Sequence, residues 1–457
     1  MNFKTSIIWS GKLYKILEKL NAENIFKLDT IIDNNYPQVL SKLQTYAKSE
    51  KIAILATNGK KTTTDFFNQI LNASDKTFIS NVSKSAKRYP IFTSIILDLA
   101  KGLDIFSSTC EKDHYTMAFD EFELSAYFNS MKFDYLLLHN LFADQRDFCS
   151  LEEKRKKIQD AIMLNSKLNL IINADEPMFF NIDDIKNDTI LGKKRIKFYY
   201  GFEDIEFCDG INNLSHINDI TKCPNCGCTL DYKKRFYSHL GQYDCECRFQ
   251  RPQLDLSATA KIFSDYTFMT VKYKDNKFVF RIPIGGLSNA YNALGAIALA
   301  INLNIDRKSI STAFDEYEFL RARDEIVEFD KKQIKIKVIK NPIALSESIR
   351  ELLGSKNTKV VFCLNDKEED GLDPSWIWES NFKPLEGFEN KIFICGNRFD
   401  DMALKLKYSG INPCLMVMDN NIQSSVSCCA YELEKRENML VLATPSALKD
   451  VYSALKM

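Results

Sequence analysis

Short apolar runs alternate with amphipathic stretches through the first half of the chain. Residues 52–56 (Ile-Ala-Ile-Leu-Ala) form an uninterrupted apolar run, which is typical of a strand buried on both faces. A polar turn at residues 57–60 follows, and residues 62–71 then carry apolar side chains at helical spacing. The same order recurs at residues 133–138 (strand), 151–164 (helix) and 168–172 (strand). Strands that alternate with helices predict βαβ units and therefore a parallel sheet.

The alternation breaks between about Cys208 and Pro252, where a short cysteine-rich segment leaves no room for a further βαβ unit. It resumes with a predicted antiparallel strand pair at residues 263–273 and 277–284, followed by a helix over 289–303. A second α/β series begins after residue 321, with strands expected at 334–339, 360–364, 391–395 and 415–418.

These patterns predict an α/β protein in three parts. Residues 1–45 form an N-terminal helical segment, and residues 46–310 form a central parallel-sheet domain. The cysteine-rich segment, about residues 205–255, is inserted into that domain. Residues 311–457 form a smaller C-terminal α/β domain.

Composition narrows the functional classes. The 457 residues include 61 Lys plus Arg and 61 Asp plus Glu, so the formal net charge is zero, which argues against a nucleic-acid binder with a strongly basic surface. The longest apolar run, residues 290–301, is too short to span a bilayer, and the N-terminus lacks the pattern of a signal peptide. We therefore expect no nucleic-acid partner, no transmembrane segment and a reducing, cytoplasmic location.

The cysteines are unevenly distributed. Five of the 13 crowd into one short stretch, at Cys223, Cys226, Cys228, Cys245 and Cys247. In a reducing compartment such clusters favour a metal over disulfides, and two close thiol pairs can supply the tetrahedron that zinc prefers. We predict a structural Zn²⁺ held by Cys223, Cys226, Cys245 and Cys247, with Cys228 as an alternative to one ligand of the second pair. The competing interpretation is a set of ordinary buried thiols.

The turn after the first predicted strand is a candidate phosphate-binding loop. Residues 57–64 (Thr-Asn-Gly-Lys-Lys-Thr-Thr-Thr) lie between a strand and a helix, where backbone amides and a lysine meet nucleotide phosphates. The full pattern G-x-x-x-x-G-K-[ST] is not met, because Ile54 stands five residues before Gly59 and Lys61 follows Lys60. A solvated Lys-Lys-Thr helix start is the alternative interpretation.

Several further segments are similar to motifs of one enzyme family. In the central part they are residues 57–60 (TNGK), 140–147 (NLFADQRD), 173–177 (NADEP), 237–243 (YSHLGQY) and 284–294 (IGGLSNAYNAL). In the last third they are residues 340–342 (KNP), 364–366 (LND), 370–379 (DGLDPSWIWE) and 401–408 (DMALKLKY). In this order the first group resembles the Mur ligases. The second group resembles their MurT subfamily, the Mur-ligase-like subunit of lipid II isoglutaminyl synthase.

The resemblance implies a Mur-ligase-like fold and an ATP-dependent amidation. The α-carboxylate of D-glutamate in lipid II is activated as an acyl phosphate, and ammonia from a class I glutaminase partner (GatD-like, in a heterodimer) attacks it to give D-isoglutamine. It also implies ATP and Mg²⁺ as cofactors and a site at the inner face of the membrane. The implied nucleotide-binding residues are Thr57, Asn58, Gly59, Lys60, Thr62, Asn289, Asn292 and Arg323. The implied catalytic residue is Asp370, which completes the glutaminase site across the interface, with Asp373 and Asp366 as fallbacks.

The chain departs from the family pattern around the expected metal. Lys61 replaces the hydroxyl residue that follows the loop lysine, and Ala118 replaces the leading glutamate of the E-V-D-E stretch. An ammonium cannot supply the oxygen ligands that Mg²⁺ requires. We therefore hypothesise a weakened or absent Mg²⁺–ATP site, unless Asp120 or Glu121 replaces the lost ligand.

Three functions remain open from the sequence. The first is the amidating ligase subunit with a glutaminase partner. The second is a divergent, non-catalytic MurT-like paralogue that keeps the scaffold and the partner surface. The third is another ATP-dependent amide or peptide ligation on the Mur fold, with a different acid substrate.

Overall fold

The structure is a computed structural model of the 457-residue chain. It describes residues 50–82, 113–143, 149–183, 195–208, 220–263, 265–317, 324–330, 332–353, 357–367, 370–434 and 437–455. The predicted N-terminal helical segment, residues 1–45, lies outside the described residues, as does Arg323.

A nine-stranded sheet and its flanking helices form the first half of the described chain. Its strands are β1 (Glu50–Ala56), β2 (Phe78–Ser80), β3 (His114–Phe119), β4 (Tyr135–Asn140), β5 (Asn169–Asn173), β6 (Lys197–Phe207), β9 (Leu256–Ile262), β10 (Thr267–Tyr273) and β11 (Asn276–Ile282). The helices are α1 (Lys60–Ala73), α2 (Glu121–Ser130), α3 (Leu151–Met163), α4 (Leu287–Asn302) and α5 (Arg307–Asp315). A separate hairpin pairs β7 (Asp231–Tyr237) with β8 (Leu240–Asp244).

The strand order places the phosphate loop in the middle of the sheet. The order is β11-β10-β9-β6-β5-β4-β1-β3-β2, and every pair from β2 to β9 is parallel. Because parallel strands end at the same edge, the segments that follow β1, β3 and β4 meet there. Those three segments build the candidate site described below.

Strand β1 is buried on both faces, as its continuous apolar run predicts. Ile52 and Ile54 pack into the apolar layer that contains α1 and α4, whereas Ala53 and Leu55 pack into the layer that contains α2 and α3. Successive side chains of a strand point to opposite faces, so a strand in the centre of a covered sheet needs apolar residues at every position. This burial fixes the end of β1 and therefore the start of the loop.

A six-stranded sheet forms the C-terminal domain. Its strands are β12 (Asp324–Phe329), β13 (Lys332–Val338), β14 (Thr358–Cys363), β15 (Ile392–Cys395), β16 (Met416–Asp419) and β17 (Asn438–Ala443). Its helices are α6 (Pro342–Leu353), α7 (Trp376–Glu379), α8 (Phe399–Tyr408), α9 (Ile422–Tyr431) and α10 (Leu448–Leu455). The order is β12-β13-β17-β14-β15-β16, and only β12 is antiparallel to its neighbour.

Within the described residues, the predicted strands and helices are confirmed with one correction. The predicted strand over residues 263–273 is wrong at its start, because the Phe263 amide donates to the Tyr266 carbonyl (2.9 Å) in a turn and β10 begins only at Thr267. The antiparallel unit is thus the three-stranded β9-β10-β11. The sequence analysis also named no strand at β17, which lies in the middle of the C-terminal sheet.

Among the described residues, every helix is too short or too polar to cross a membrane. The apolar run at residues 290–301 belongs to α4, whose side chains are almost entirely buried against the central sheet.

Gly396 provides a test of the C-terminal sheet. Its φ is +97°, and a Cβ there would lie 2.1 Å from the Leu364 carbonyl oxygen. We expect Gly396→Ala to lower the free energy of unfolding by about 3 kcal/mol, since backbone strain and a backbone clash add. Gly387→Ala is the matched control, because its φ is +82° but a Cβ would meet nothing within 4 Å. We expect a loss of only about 1 kcal/mol for the control, measured by urea unfolding. Equal losses in both variants would contradict this account.

Candidate functional site

The phosphate loop is fixed by a glycine that no other residue could replace without a shift. Gly59 has a φ of +83°, and its carbonyl accepts the first helical hydrogen bond of α1 from the Thr63 amide (2.8 Å). A Cβ at Gly59 would lie 2.0 Å from Asn292 Oδ1 on α4. The loop backbone therefore packs directly against α4, which only glycine permits.

Lys60 stands at the start of α1 in the position that the sequence predicts for a phosphate ligand. The residue is 8% exposed, and its Nζ lies 3.6 Å from Asp120 Oδ2 at the end of β3. Helix α1 has no acidic residue in its first turn, so the positive end of its dipole is directed at the same place. A lysine beside a helix N-terminus is an arrangement that binds anions.

Thr57 and Asn58 form the walls of the loop. The Thr57 hydroxyl donates to Glu121 and accepts a hydrogen bond from the Phe142 amide (3.1 Å). The Asn58 backbone is bound on both sides by Asn140, whose Oδ1 accepts from the Asn58 amide (2.9 Å) and whose Nδ2 donates to the Asn58 carbonyl (2.8 Å). Both predicted ligands thus hold the loop in place through contacts with segments that follow β3 and β4.

The C-terminal domain also reaches the loop. Lys340 Nζ donates to the Thr57 carbonyl (3.3 Å), and Asn341 Nδ2 donates to Asn58 Oδ1 (3.2 Å). Asn341 is fully buried and accepts from the Ala344 amide at the start of α6. Two residues of the KNP segment therefore join the second sheet to the phosphate loop, which their sequence positions alone do not reveal.

The threonines of the loop have different environments. Thr63 and Thr64 are buried, and their hydroxyls donate to Asn292 Oδ1 (3.2 Å) and to the Lys60 carbonyl (2.7 Å). Thr62 is half-buried, as is Lys61. Thr62 therefore remains the hydroxyl in the first turn of α1 that a ligand can approach.

The carboxylates next to the loop come from residues 120 and 121. Ala118 is fully buried in β3, where its backbone amide and carbonyl bind the Asn81 side chain (2.8 and 2.9 Å), and it brings no carboxylate. Glu121 is also buried, and its Oε1 lies 3.9 Å from Nζ of the buried Lys154. Asp120 and Glu121 thus each face an ammonium group, that of Lys60 and that of Lys154.

The groups around the loop are better suited to bind a nucleotide phosphate than to bind Mg²⁺. The loop offers a lysine, a helix N-terminus and backbone amides, which are phosphate ligands. Magnesium needs several oxygen ligands in a near-octahedral arrangement. Asp120 and Glu121 are the nearest carboxylates on the described segments that follow β3, and each is already paired with a lysine. The hypothesis of a weakened metal site stays a prediction.

The two asparagines predicted as nucleotide ligands occupy different places. Asn289 is half-buried in the first turn of α4, and its Nδ2 donates to the Gly285 carbonyl (2.9 Å). Asn292 is buried beneath the loop, where its Oδ1 accepts from both Thr63 and His139 Nε2 (3.1 Å). Asn292 therefore supports Gly59 from below, and Asn289 is the asparagine that a nucleotide can approach.

His139 is a site residue that the sequence analysis missed. It is fully buried at the end of β4, and its Nδ1 accepts from the Tyr200 hydroxyl (2.8 Å) while its Nε2 donates to Asn292. Burial lowers the pKa of His139 to about 4, so the ring stays neutral under the loop near neutral pH. One feature of the sequence could have pointed to His139: it is a histidine at the end of an otherwise apolar strand, in a chain with only four histidines.

The four cysteines predicted as zinc ligands converge in one cluster. The Sγ atoms of Cys223, Cys226, Cys245 and Cys247 all lie within 4.8 Å of one another. The closest pairs are Cys223–Cys247 (3.6 Å) and Cys226–Cys245 (3.5 Å). Cys228 is exposed and is not a member of this group.

The cluster has the geometry and chemistry of a tetrahedral zinc site. A Zn–S distance of about 2.3 Å requires S–S separations near 3.8 Å, close to those found. Asn225 supports two of the thiols, since its amide donates to Cys223 Sγ and its Nδ2 donates to Cys247 Sγ (3.4 Å each). The Asn225 side chain lowers the pKa of Cys247 to about 6, whereas burial raises the pKa of Cys223 to about 12. The four thiols can therefore hold a metal ion.

Asp370, the predicted catalytic residue, lies at the carboxyl edge of the C-terminal sheet. It is 7% exposed, and its carboxylate accepts from the Ser446 amide (2.8 Å), the Ser446 hydroxyl and the Lys367 amide (3.0 Å). These bonds tie the segment after β14 to the segment after β17. Of the fallbacks, Asp373 is exposed, and Asp366 binds Arg398 Nε (2.6 Å).

A polar cleft of about 670 Å³ opens at the same edge of the C-terminal sheet. Its walls include Asn365, Lys367, Asn397 and Asn421 from the segments that follow β14, β15 and β16. The cleft contains none of the predicted nucleotide ligands, so it is separate from the phosphate loop.

Comparisons with known proteins agree with this architecture. Residues 338–448 match the family model of the MurT ligase C-terminal domain. The chain is 28% identical over 388 residues to the MurT subunit of lipid II isoglutaminyl synthase (glutamine-hydrolyzing) from Staphylococcus aureus, which covers 83% of this chain and 82% of that protein. It is 29% identical over 419 residues to the same subunit from Streptococcus pneumoniae, with coverages of 90% and 89%. The chain is thus similar to MurT subunits over most of its length.

Solved structures confirm the Mur-ligase-like fold of this chain. A pseudomurein peptide ligase type C from Methanothermus fervidus has a TM-score of 0.66 at 18% identity, with 94% of this chain and 84% of that chain covered. MurF from Acinetobacter baumannii has a TM-score of 0.62 at 11% identity, with coverages of 92% and 79%. MurF from Thermotoga maritima in complex with ADP has a TM-score of 0.60 at 10% identity, with coverages of 93% and 83%.

The different burial of the two asparagines predicts different costs of substitution. Asn292→Ala leaves the buried His139 and Thr63 without their acceptor, and we expect it to lower the free energy of unfolding by about 2 kcal/mol. Asn289→Ala, the matched control, removes one half-buried bond within α4, and we expect a loss below about 1 kcal/mol. Chemical denaturation checks both values. A larger loss for Asn289→Ala would refute the assignment of Asn292 as the support.

The geometry of the cysteine cluster predicts which thiols bind metal. We expect the purified chain to hold one zinc ion, and Cys228→Ser to leave that content unchanged, since Cys228 is exposed and outside the cluster. Cys247→Ser should lose most of the zinc, because it removes one of four ligands. Elemental analysis by mass spectrometry measures the stoichiometry. Loss of zinc from Cys228→Ser alone would show that the ligand set is wrong.

Proposed function

We propose that this chain is the ligase subunit of an amidating enzyme that converts the α-carboxylate of D-glutamate in lipid II to the amide, giving D-isoglutamine. One observation carries the proposal: the left-handed Gly59 and the largely buried Lys60 lie at the start of α1, directly after β1, in a chain that is similar over most of its length to MurT subunits. Lipid II is lipid-linked, so we propose that the reaction takes place at the inner face of the membrane.

The chemistry of amide formation explains why a phosphate loop is needed. A carboxylate is a poor electrophile, and ATP supplies a phosphoryl group that turns one carboxylate oxygen into a leaving group. Ammonia then adds to the carbonyl carbon of the acyl phosphate, inorganic phosphate departs with the C–O electron pair, and the nitrogen loses a proton.

The residues of the loop have separate roles in this proposal. Lys60 and the N-terminus of α1 stabilise the phosphate charge, and Thr62 adds a hydroxyl. Thr57 and Asn58 hold the loop walls, and Asn289 borders the nucleotide. The nearby carboxylates, Asp120 and Glu121, are already paired with lysines, so no role in this proposal is assigned to Mg²⁺.

Ammonia requires a second subunit, and we propose a class I glutaminase of the GatD type in a heterodimer. The curated relatives are named as subunits of a glutamine-hydrolyzing enzyme, which supports a partner of this kind. We propose that Asp370, held in place by Ser446 and Lys367, completes the partner's site. Asp373 remains the fallback: it is exposed, and its carboxylate accepts from the Ser375 amide (2.8 Å) and hydroxyl (2.9 Å).

A second function is supported by the altered metal environment. Lys61 and Ala118 stand where the family pattern has a hydroxyl and a glutamate, and Glu121 is occupied by Thr57 and Lys154. A chain of this kind could retain the scaffold and the partner surface without phosphoryl transfer. The two functions differ in one measurable property, which is ATP turnover.

Reconstitution with a class I glutaminase, lipid II, glutamine and Mg²⁺–ATP tests the proposal. We expect glutamine-dependent ATP hydrolysis and conversion of the acid to the amide, detected by mass spectrometry of the muropeptide. Lys60→Ala should reduce the rate about a hundredfold or more, because it removes the cation that faces the phosphate.

Lys132→Ala is the control, since Lys132 is exposed and lies away from the loop. We expect it to keep the full rate. A complex that binds the glutaminase but hydrolyses no ATP at any Mg²⁺ concentration would reject the ligase function and establish the scaffold function.

A further inference from the structure

The cysteine hairpin has one end at the metal cluster and the other end buried in the central domain. Cys223 and Cys226 precede β7, and Cys245 and Cys247 follow β8, so the cluster closes the open end of the hairpin. The turn at residues 237–240 (Tyr-Ser-His-Leu) is buried, with exposed fractions of 0 to 4%. With a rise of about 3.4 Å per residue, the seven residues of β7 separate the two ends by roughly 20 Å.

The buried turn lies against the wall of the phosphate loop. The Phe142 ring packs on Tyr237 (centroids 5.4 Å apart) and on His239 (5.1 Å). The Phe142 amide is the group that donates to the Thr57 hydroxyl. The hairpin therefore contacts the phosphate loop through a single intervening residue.

Glu176 makes the same connection by hydrogen bonds. Its buried Oε2 accepts from His239 Nε2 (2.9 Å) and from the Leu141 amide (3.0 Å). Leu141 lies between Asn140 and Phe142, which bind the two walls of the loop. One carboxylate thus links the hairpin turn to the segment that shapes the loop.

Asp175, the residue before Glu176, connects the start of β8 and Arg251, which follows the hairpin, to α4. Its Oδ1 lies 2.8 Å from Arg251 Nη2, its Oδ2 accepts from the Tyr291 hydroxyl (2.8 Å), and its carbonyl accepts from the Gly241 amide (2.9 Å). Helix α4 carries Asn292 under Gly59. Two consecutive buried carboxylates therefore attach the inserted hairpin to both sides of the phosphate loop.

We infer that Glu176 and His239 are positioning residues for the phosphate loop, and that metal binding by the cysteine cluster strengthens nucleotide binding through them. A two-stranded hairpin is marginally stable alone, so its order depends on the metal at one end and the buried turn at the other. Loss of the metal loosens the turn, which releases Leu141 and Phe142 from the loop. The nucleotide part of this inference rests on the proposed function.

Amide hydrogen exchange of the full chain tests the inference without any nucleotide. His239→Leu removes the donor to Glu176, His239→Gln retains a side-chain donor, and Lys233→Gln alters an exposed position on β7 as the matched control. We expect exchange at residues 139–143 and 57–60 to rise at least fivefold in His239→Leu. His239→Gln and Lys233→Gln should remain within about twofold of the parent.

Metal removal is the second part of the test, because His239→Leu alone could disturb folding. Treatment of the parent chain with a chelator should raise exchange at the same residues at least fivefold. Adding zinc back should restore their protection. The fluorescent analogue N-methylanthraniloyl-ADP should bind about tenfold more weakly to the metal-free chain and to His239→Leu.

The two proposals fail in different ways. Unchanged exchange at residues 139–143 and 57–60, both in a folded His239→Leu and after metal removal, overturns the positioning role. If the parent chain binds no nucleotide analogue but exchange rises as expected, the proposed function fails and the positioning role stands. An equal rise in Lys233→Gln would also overturn the inference, since it would show a general loosening of the hairpin.

Discussion

The contact between Gly59 and Asn292 is the constraint on which the rest of the site depends. The loop backbone lies so close to α4 that a single added carbon would overlap the amide oxygen. This approach sets the direction in which α1 leaves the loop and hence the position of Lys60. Asn292 can hold that place because His139 and Thr63 bind its oxygen, and His139 is in turn bound by Tyr200. A buried, connected polar network of this kind fixes one geometry.

The two carboxylates next to the loop are paired with lysines of the protein itself. Lys60 faces Asp120, Lys154 faces Glu121, and the Lys340 ammonium donates to the Thr57 carbonyl of the loop. The family pattern instead places a glutamate at residue 118, where this chain has a buried alanine. The altered positions keep a phosphate-binding arrangement but leave fewer unpaired oxygens for a metal. This pairing of the carboxylates is the physical reason that the ligase and scaffold functions must be separated by turnover measurements.

Two separate parts of the chain, the C-terminal domain and the inserted cysteine hairpin, converge on the same loop. The C-terminal domain contacts it through Lys340 and Asn341, and the cysteine hairpin contacts it through Phe142 and Glu176. A parallel sheet makes this possible, since its strand ends gather the connecting segments at one edge. The hairpin turn and the C-terminal domain therefore meet the loop region through side-chain contacts rather than through the sheet itself.

The sequence by itself determined the features that depend on local spacing. Apolar periodicity was enough to predict most of the described strands and helices. The cysteine spacing was enough to predict which four thiols cluster. Only the tertiary structure decided which distant residues meet: β17 in the centre of its sheet, His139 under Asn292, Glu121 on Thr57, and Asp370 buried by Ser446. The reason is that a pattern along the chain encodes which faces are buried, whereas strand order and side-chain partners arise from long-range packing.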